Sequence, residues 1–136
     1  MLEKTIKYKD YNNNDREETF CFHLKKSELL ELQMGIDGGM TNYIQKLISA
    51  QDMPKLMELF KKIIKAAYGV KSDDGRRFIK NEEVYKEFEE TEAYSELFME
   101  ISTDDKKAAE FFNAIIPPEL REEGQKSPAE VVSINK

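Results

Sequence analysis

The residues best suited to chemistry in this 136-residue chain are its single cysteine and single histidine. Cys21 and His23 would share one face of a β-strand, where they could form a thiolate and base pair or half of a zinc site. Side chains on one strand face diverge, however, and a structural zinc needs four ligands, for which the sequence offers no second Cys/His cluster. We interpret the pair as ordinary strand residues and predict no catalytic residue, no metal site and no cofactor.

Three other motifs resemble chemical sites but lack essential parts. Asp73-Asp74-Gly75 lacks the remaining ligands of a calcium loop and is better interpreted as a turn. Gly35, Gly38 and Gly39 lack the Lys-Ser/Thr pair of a phosphate-binding loop, so we expect them to separate two helices. The carboxylates between Glu82 and Glu92 alternate with Lys86 and are predicted to lie on a solvated helix face, not to act as an acid/base pair.

The candidate contacts with other proteins are Arg76, Arg77, Phe78 and Tyr94. Two guanidiniums and an aromatic ring on a turn could dock on an acidic partner. The alternative, which we favour, is that Phe78 covers the helix ends while the arginines pair with nearby carboxylates. Tyr94 stands on the apolar side of a later predicted helix.

Charge and hydropathy exclude several classes of partner. The net charge is -6, whereas binding to duplex DNA depends largely on Lys and Arg contacts to phosphate. No apolar stretch approaches the roughly 20 residues that cross a bilayer, and the N-terminus lacks the pattern of a signal peptide. We expect a cytoplasmic protein that binds neither nucleic acid nor membrane.

The N-terminal pattern predicts a β-hairpin. Residues 5 to 11 and 16 to 24 alternate apolar and polar side chains, and an Asn-rich turn separates them. A hairpin alone is marginally stable in water, so it must pack on a helix or pair with another chain through its edge. This edge is a candidate site of homo-oligomer formation.

The remainder of the chain predicts helices with apolar stripes. We expect them over Ser27–Met34, through Met40–Ile48, from the cap Asp52 to Gly69, and from Asn81, Thr91 and Thr103, with a protruding turn over residues 70–80. The predicted fold is mainly α, with the N-terminal hairpin packed on a bundle of five to six short helices. Residues 1–120 form one domain, and residues 121–136 are predicted to be a flexible, disordered tail.

Several blocks of sequence, in order over about residues 5 to 120, resemble one protein family. They are Arg16-Glu17-Glu18-Thr19-Phe20, Gly38-Gly39 with Tyr43-Ile44, Ala50-Gln51-Asp52, the run from Tyr68 to Lys80, and the run from Thr91 to Glu100. The chain resembles the tail assembly chaperones of long-tailed bacteriophages and prophages of Gram-positive bacteria.

The resemblance implies a non-enzymatic protein that binds the tape measure protein, recruits tail tube subunits in the cytoplasm of the bacterial host and is absent from the mature virion. It also implies that a longer frameshifted product can share this N-terminal part. It supplies no catalytic residues. Two other functions remain open: a small helical adaptor or regulatory protein that binds host proteins, and an enzyme that uses Cys21 or His23.

Overall fold

The computed structural model describes residues 1–33 and 39–117. Six helices and four strands lie in these ranges, which confirms the predicted mainly α fold with an N-terminal hairpin. The helix boundaries predicted at Gly35 and Gly38, and the predicted tail over 121–136, lie outside the described residues. The single domain over 1–120 therefore stays a prediction.

The N-terminal hairpin consists of two strands of equal length. Strand β1 (Leu2–Lys9) pairs antiparallel with β2 (Asp15–Phe22) over all eight residues of each. At the turn between them, the Asp10 carboxylate accepts hydrogen bonds from two backbone amides, and Asn13 has a φ of 64°. Asn tolerates this left-handed conformation better than most residues, so the Asn-rich sequence suits the turn.

The hairpin continues into a four-stranded sheet of order β1-β2-β3-β4. Strand β3 (Tyr68–Lys71) pairs with the end of β2, and β4 (Phe78–Ile79) pairs with β3. The prediction that Gly69 ends the third helix is therefore wrong, because that helix stops at Ala67. The predicted protruding turn over 70–80 is shorter than expected, because strands occupy both of its ends.

The early end of that helix follows from the side chain of Tyr68. Tyr68 is only 9% exposed, and its ring stacks on that of Phe88 with centroids 4.5 Å apart. Extended backbone at Tyr68 places this ring beside Phe22 and adds a strand to the sheet. Burial of a large aromatic side chain outweighs one further helical hydrogen bond.

The helices follow the predicted apolar stripes. Their bounds are α1 (Lys26–Gln33), α2 (Gly39–Ser49), α3 (Met53–Ala67), α4 (Glu82–Glu89), α5 (Glu92–Thr103) and α6 (Asp105–Ile115). The predicted caps at Asp52 and Asn81 are confirmed, since each side chain accepts a hydrogen bond from an amide of the first turn.

Two predicted helix starts are wrong by one residue. α1 begins before Ser27, and Glu28 in its first turn accepts a hydrogen bond from the Lys25 amide, which is half of a capping box. Asp104, not Thr103, caps α6, and the Thr103 hydroxyl donates to the Met99 carbonyl within α5. A carboxylate is the better cap here because it accepts two amide hydrogen bonds.

The core joins the inner face of β2 to α4 and α6. Phe22 is fully buried, and its ring centroid lies 5.8 Å from that of Phe88 and 5.3 Å from that of Phe111. The next inward residue, Leu24, is also fully buried, and its amide donates to the Ile115 carbonyl at 2.8 Å. The sheet and the last helix are thus fixed to each other at the end of β2.

Candidate protein-interaction surfaces

The cysteine and the histidine lie at the end of β2 and are not arranged as a catalytic pair. Cys21 is opposite Glu3 and Gly69, and the amide of His23 donates to the Ala67 carbonyl at 2.9 Å. Burial raises the pKa of the Cys21 thiol and lowers the pKa of the His23 imidazole. Both shifts favour the neutral groups, whereas a nucleophilic thiolate needs the opposite environment.

The described ranges contain no group of three or more His, Cys, Asp and Glu side chains placed to hold a metal ion. The Asp73-Asp74-Gly75 motif forms a turn, as interpreted, because Asp74 accepts hydrogen bonds from the Ser72 hydroxyl and the Arg76 amide. Gly75 has a φ of 73°, a conformation that favours glycine.

The glutamates of α4 and the α4–α5 junction lie on a solvated face, as predicted. Glu82 pairs with Lys65 at 2.8 Å, with both side chains exposed. The remaining glutamates between Glu83 and Glu92 are exposed as well. An acid/base pair would need one carboxyl removed from water, and none of these is.

The predicted contacts Arg76, Arg77 and Phe78 do not form one exposed knob. The Phe78 ring lies over Gly69, where an added Cβ would be 2.6 Å from a ring carbon. It also meets the ring of His23, with centroids 6.4 Å apart. The two arginines are exposed, and the guanidinium of Arg76 lies 3.9 Å from the Asp74 carboxylate. Phe78 therefore covers the sheet, and only the arginines face outward.

Tyr94 belongs to a separate aromatic cluster. Its ring packs edge-on against Tyr85 and Phe88 and stacks on Phe98, with centroids 6.3, 5.6 and 6.1 Å away. Burial raises the pKa of Tyr94. None of these rings is among the contacts of Phe78, so the structure does not bring the four predicted residues into one site. Their role in partner binding stays a prediction.

Lys80 is a connecting residue that sequence reasoning missed. Its ammonium donates to both Glu28 carboxylate oxygens at 2.9 Å and to the carbonyls of His23 and Ala66 at 2.7 Å. Burial lowers the pKa of Lys80. Burial alone would raise the pKa of Glu28. Hydrogen bonds from the Lys25 amide and from Lys80 outweigh this effect, so the pKa of Glu28 is lowered. A lysine after a short strand gives no sequence signal for this arrangement.

The outer edge of β1 presents backbone groups without a partner strand. Along an antiparallel pair, successive residues point their amide and carbonyl alternately at the partner and away from it. The Asp10 amide donates to the Asn14 carbonyl, in register with the pairing of β1 and β2. The amides and carbonyls of the even-numbered residues of β1 therefore bond to β2. Those of the odd-numbered residues point away from β2, and these residues are Glu3, Thr5, Lys7 and Lys9. Among the described strands, none pairs on this side.

A groove follows this edge between β1 and α5, and we call it the edge groove. We give this name to three separate cavities of about 430, 670 and 240 Å³ that succeed one another along the strand. Their linings include, in turn, one pair from β1 and α5: Tyr8 and Glu92, Lys7 and Glu96, and Lys4 and Glu100. The first two cavities also reach Arg16 of β2. Helix α5 therefore runs antiparallel to β1 along the whole strand.

The three α5 carboxylates of the edge groove differ in whether lysine side chains neutralise them. Glu100 lies 3.1 Å from the Lys4 ammonium and 3.9 Å from that of Lys107. Glu92 and Glu96 are exposed and make no ion pair with the rest of the described chain. The basic residues that line the same cavities, Lys7, Lys9 and Arg16, pair with carboxylates of the hairpin. Within the described ranges, the charges of Glu92 and Glu96 are therefore not neutralised by an ion pair.

No helix within the described ranges is long and apolar enough to cross a membrane. No curated protein and no solved structure matches the chain. A protein-family model described as phage tail assembly chaperone matches residues 1–135. This match confirms the family that the sequence blocks resemble, while the Gram-positive host stays a prediction. The chain belongs to the phage tail assembly chaperone family.

Proposed function

We propose that this protein binds the tape measure protein and recruits tail tube subunits while the phage tail is assembled in the cytoplasm of the bacterial host. It leaves before the virion is mature. The observation that carries the proposal is the family match over residues 1–135. We also propose that the protein is not an enzyme, since the pKa shifts of Cys21 and His23 disfavour a thiolate and imidazolium pair.

Two features of the structure support a role in binding extended or helical partners. The edge of β1 offers outward amides and carbonyls, which another chain can pair with. The turn between β3 and β4 exposes Arg76 and Arg77, which we propose as a secondary contact for acidic side chains. Phe78 and Tyr94, which pack against other rings, are proposed as weaker contacts with a partner.

Co-expression with the tape measure protein of the same genome tests the proposal. We expect the tape measure protein to become soluble and to co-purify with this chain, and tube subunits to join the complex when they are added. Mature virions should lack the chain on mass spectrometry. An insoluble tape measure protein with no complex, or the chain in finished virions, would contradict the proposal.

The homo-oligomer predicted through the hairpin edge is a competing use of the same strand. Sedimentation velocity of the purified chain over a range of concentrations tests it, because reversible pairing of edges gives a sedimentation coefficient that rises with concentration.

Gene neighbourhood distinguishes a tail assembly chaperone from a helical adaptor of host proteins. A gene beside tail genes supports the chaperone, and an isolated gene supports the adaptor.

A further inference from the structure

We propose that the edge groove binds an extended segment of a partner protein as an added β-strand, with Lys or Arg at alternate positions of that segment. This inference deepens the proposed function, on which it rests, by giving the chemistry of the segment that the chaperone holds. Its evidence is independent of the family match. This evidence is the outward direction of alternate amides and carbonyls in β1, the antiparallel course of α5 along that strand, and the glutamates that α5 places beside it.

The backbone of β1 supplies the first part of the site. Glu3, Thr5 and Lys7 are exposed residues, and their outward amides and carbonyls repeat at every second position of the strand. An added strand would bond to them in the regular pattern of a sheet. Its side chains on the inner face would point to the same side of the sheet as Ile6, where α5 lies.

The helix supplies the second part, through the spacing of its glutamates. Glu92, Glu96 and Glu100 follow one another at every fourth residue, which places them about 6 Å apart along the helix axis. Alternate residues of a strand are about 6.8 Å apart. Because α5 runs along β1, basic side chains at alternate positions of an added strand would come level with successive glutamates.

The free charge in the groove favours a basic occupant. Glu92 and Glu96 have no ionic partner in the described ranges, and Glu100 shares its charge with Lys4. A second copy of this chain is a poorer occupant, because pairing two β1 edges would also bring two α5 helices together beneath them. Helices need about 8–10 Å between their axes, whereas paired strands lie only about 4.8 Å apart. We therefore commit to a single extended segment of a partner.

Binding of a labelled synthetic peptide to the full-length chain tests the proposal. The probe alternates lysine and threonine and is as long as β1, and the control peptide has the same composition with its lysines in one block. We expect fluorescence anisotropy to show tighter binding of the alternating peptide, with affinity that falls as salt is added. NMR should show the largest amide shifts at Thr5 and Lys7.

Proline substitutions distinguish binding at the β1 edge from nonspecific electrostatic attraction between a basic peptide and an acidic protein. Lys7→Pro removes an outward amide without breaking the β1–β2 ladder, so the hairpin should tolerate it. We expect it to weaken binding of the alternating peptide by about tenfold, since one donor is lost and the ring obstructs the added strand. Loss of the lysine charge would by itself have the opposite effect.

Glu17→Pro is the matched control, because Glu17 is the residue opposite Lys7 and its amide points to the other side of the hairpin. It should leave the affinity within about twofold, the change expected of a surface substitution. Glu92→Gln with Glu96→Gln should weaken binding by about three- to tenfold, as expected for two exposed ion pairs.

Three results would overturn the inference. One is equal weakening by Lys7→Pro and Glu17→Pro. Another is equal affinity for the alternating and block peptides. The third is a dimer in sedimentation that Lys7→Pro dissociates, since a second copy would then occupy the edge. Because the peptide test uses the purified chain alone, its failure leaves the co-expression test of the proposed function standing.

Discussion

Strands β1 and β2 are equal in length and pair residue by residue, yet their side chains and their surroundings differ. On the inner face, β2 ends in Phe20 and Phe22, which pack among the rings of Tyr68 and Phe88. The inner face of β1 buries Ile6 but also carries Lys4, whose charge is balanced by Glu100. Among the strands of the described residues, β2 has a partner on each side at its end, whereas β1 has one on a single side.

The difference assigns separate roles to the two strands of one hairpin. A central strand that buries aromatic rings contributes to stability, because each ring removes a large apolar area from water. An edge strand with charged residues contributes less to stability and keeps backbone groups available for another chain. We therefore expect substitutions in and around β2 to affect folding, and those at the outer edge of β1 to affect binding.

Phe22→Ala should have the largest effect on folding. Removal of a fully buried ring is expected to lower the free energy of unfolding by about 3–5 kcal/mol. The control is Leu2→Ala, since Leu2 is the residue opposite Phe22 on β1 and is only partly buried; it should cost about 1 kcal/mol. Urea denaturation measures both, and equal losses would remove the distinction between the strands.

Lys80→Met should have the next largest effect, because Lys80 ties the end of β2 to α1 and α3. The substitution removes the ammonium that donates to Glu28 and to the carbonyls of His23 and Ala66, which should cost about 2–3 kcal/mol. Lys65→Met is the control, since its ion pair with Glu82 is exposed and contributes about 0–1 kcal/mol. Equal melting temperatures of the two variants would show that the buried Lys80 contributes no more to stability than the exposed Lys65.

Gly69→Ala should destabilise the β3 side of the sheet by about 1–2 kcal/mol, because the new methyl group meets the Phe78 ring. In a double-mutant cycle, the added cost of Gly69→Ala should become small when Phe78 is already alanine. An unchanged cost in that background would mean that the ring is not the cause.

The hairpin turn should show the smallest effect, and one that depends on pH. Hydrogen bonds from Arg16 and from the amides of Asn14 and Asn12 lower the pKa of Asp10 from 3.8 to about 2. A lowered pKa means that the ionised carboxylate stabilises the folded state above pH 3.8, and that this contribution is lost as the pH falls towards 2. The stability difference between the protein and Asp10→Asn should therefore be constant near neutral pH and shrink below pH 4. A difference that does not change with pH would contradict this assignment.

The sequence predicted the hairpin, the helices and their apolar faces because these depend on local periodicity and turn residues. It did not predict β3 or the pairing of β4 with β3, since these depend on the burial of Tyr68 and the cover of Gly69 by Phe78, both of which need residues distant in the chain. For the same reason, Phe78 was predicted to cover the helix ends, whereas its ring covers the sheet at Gly69. The edge groove was not foreseen, because no pattern within α5 indicates that Glu96 lies beside Lys7.

Residue-resolved hydrogen exchange of the chain, free and in complex with the tape measure protein, tests the division between the two strands most directly. In the free chain, we expect the amides of Thr5 and Lys7 to exchange fast and that of Ile6 to be protected. In the complex, Thr5 and Lys7 should become protected while Ile6 changes little. A complex that leaves Thr5 and Lys7 in fast exchange would contradict the role of β1 as the binding edge.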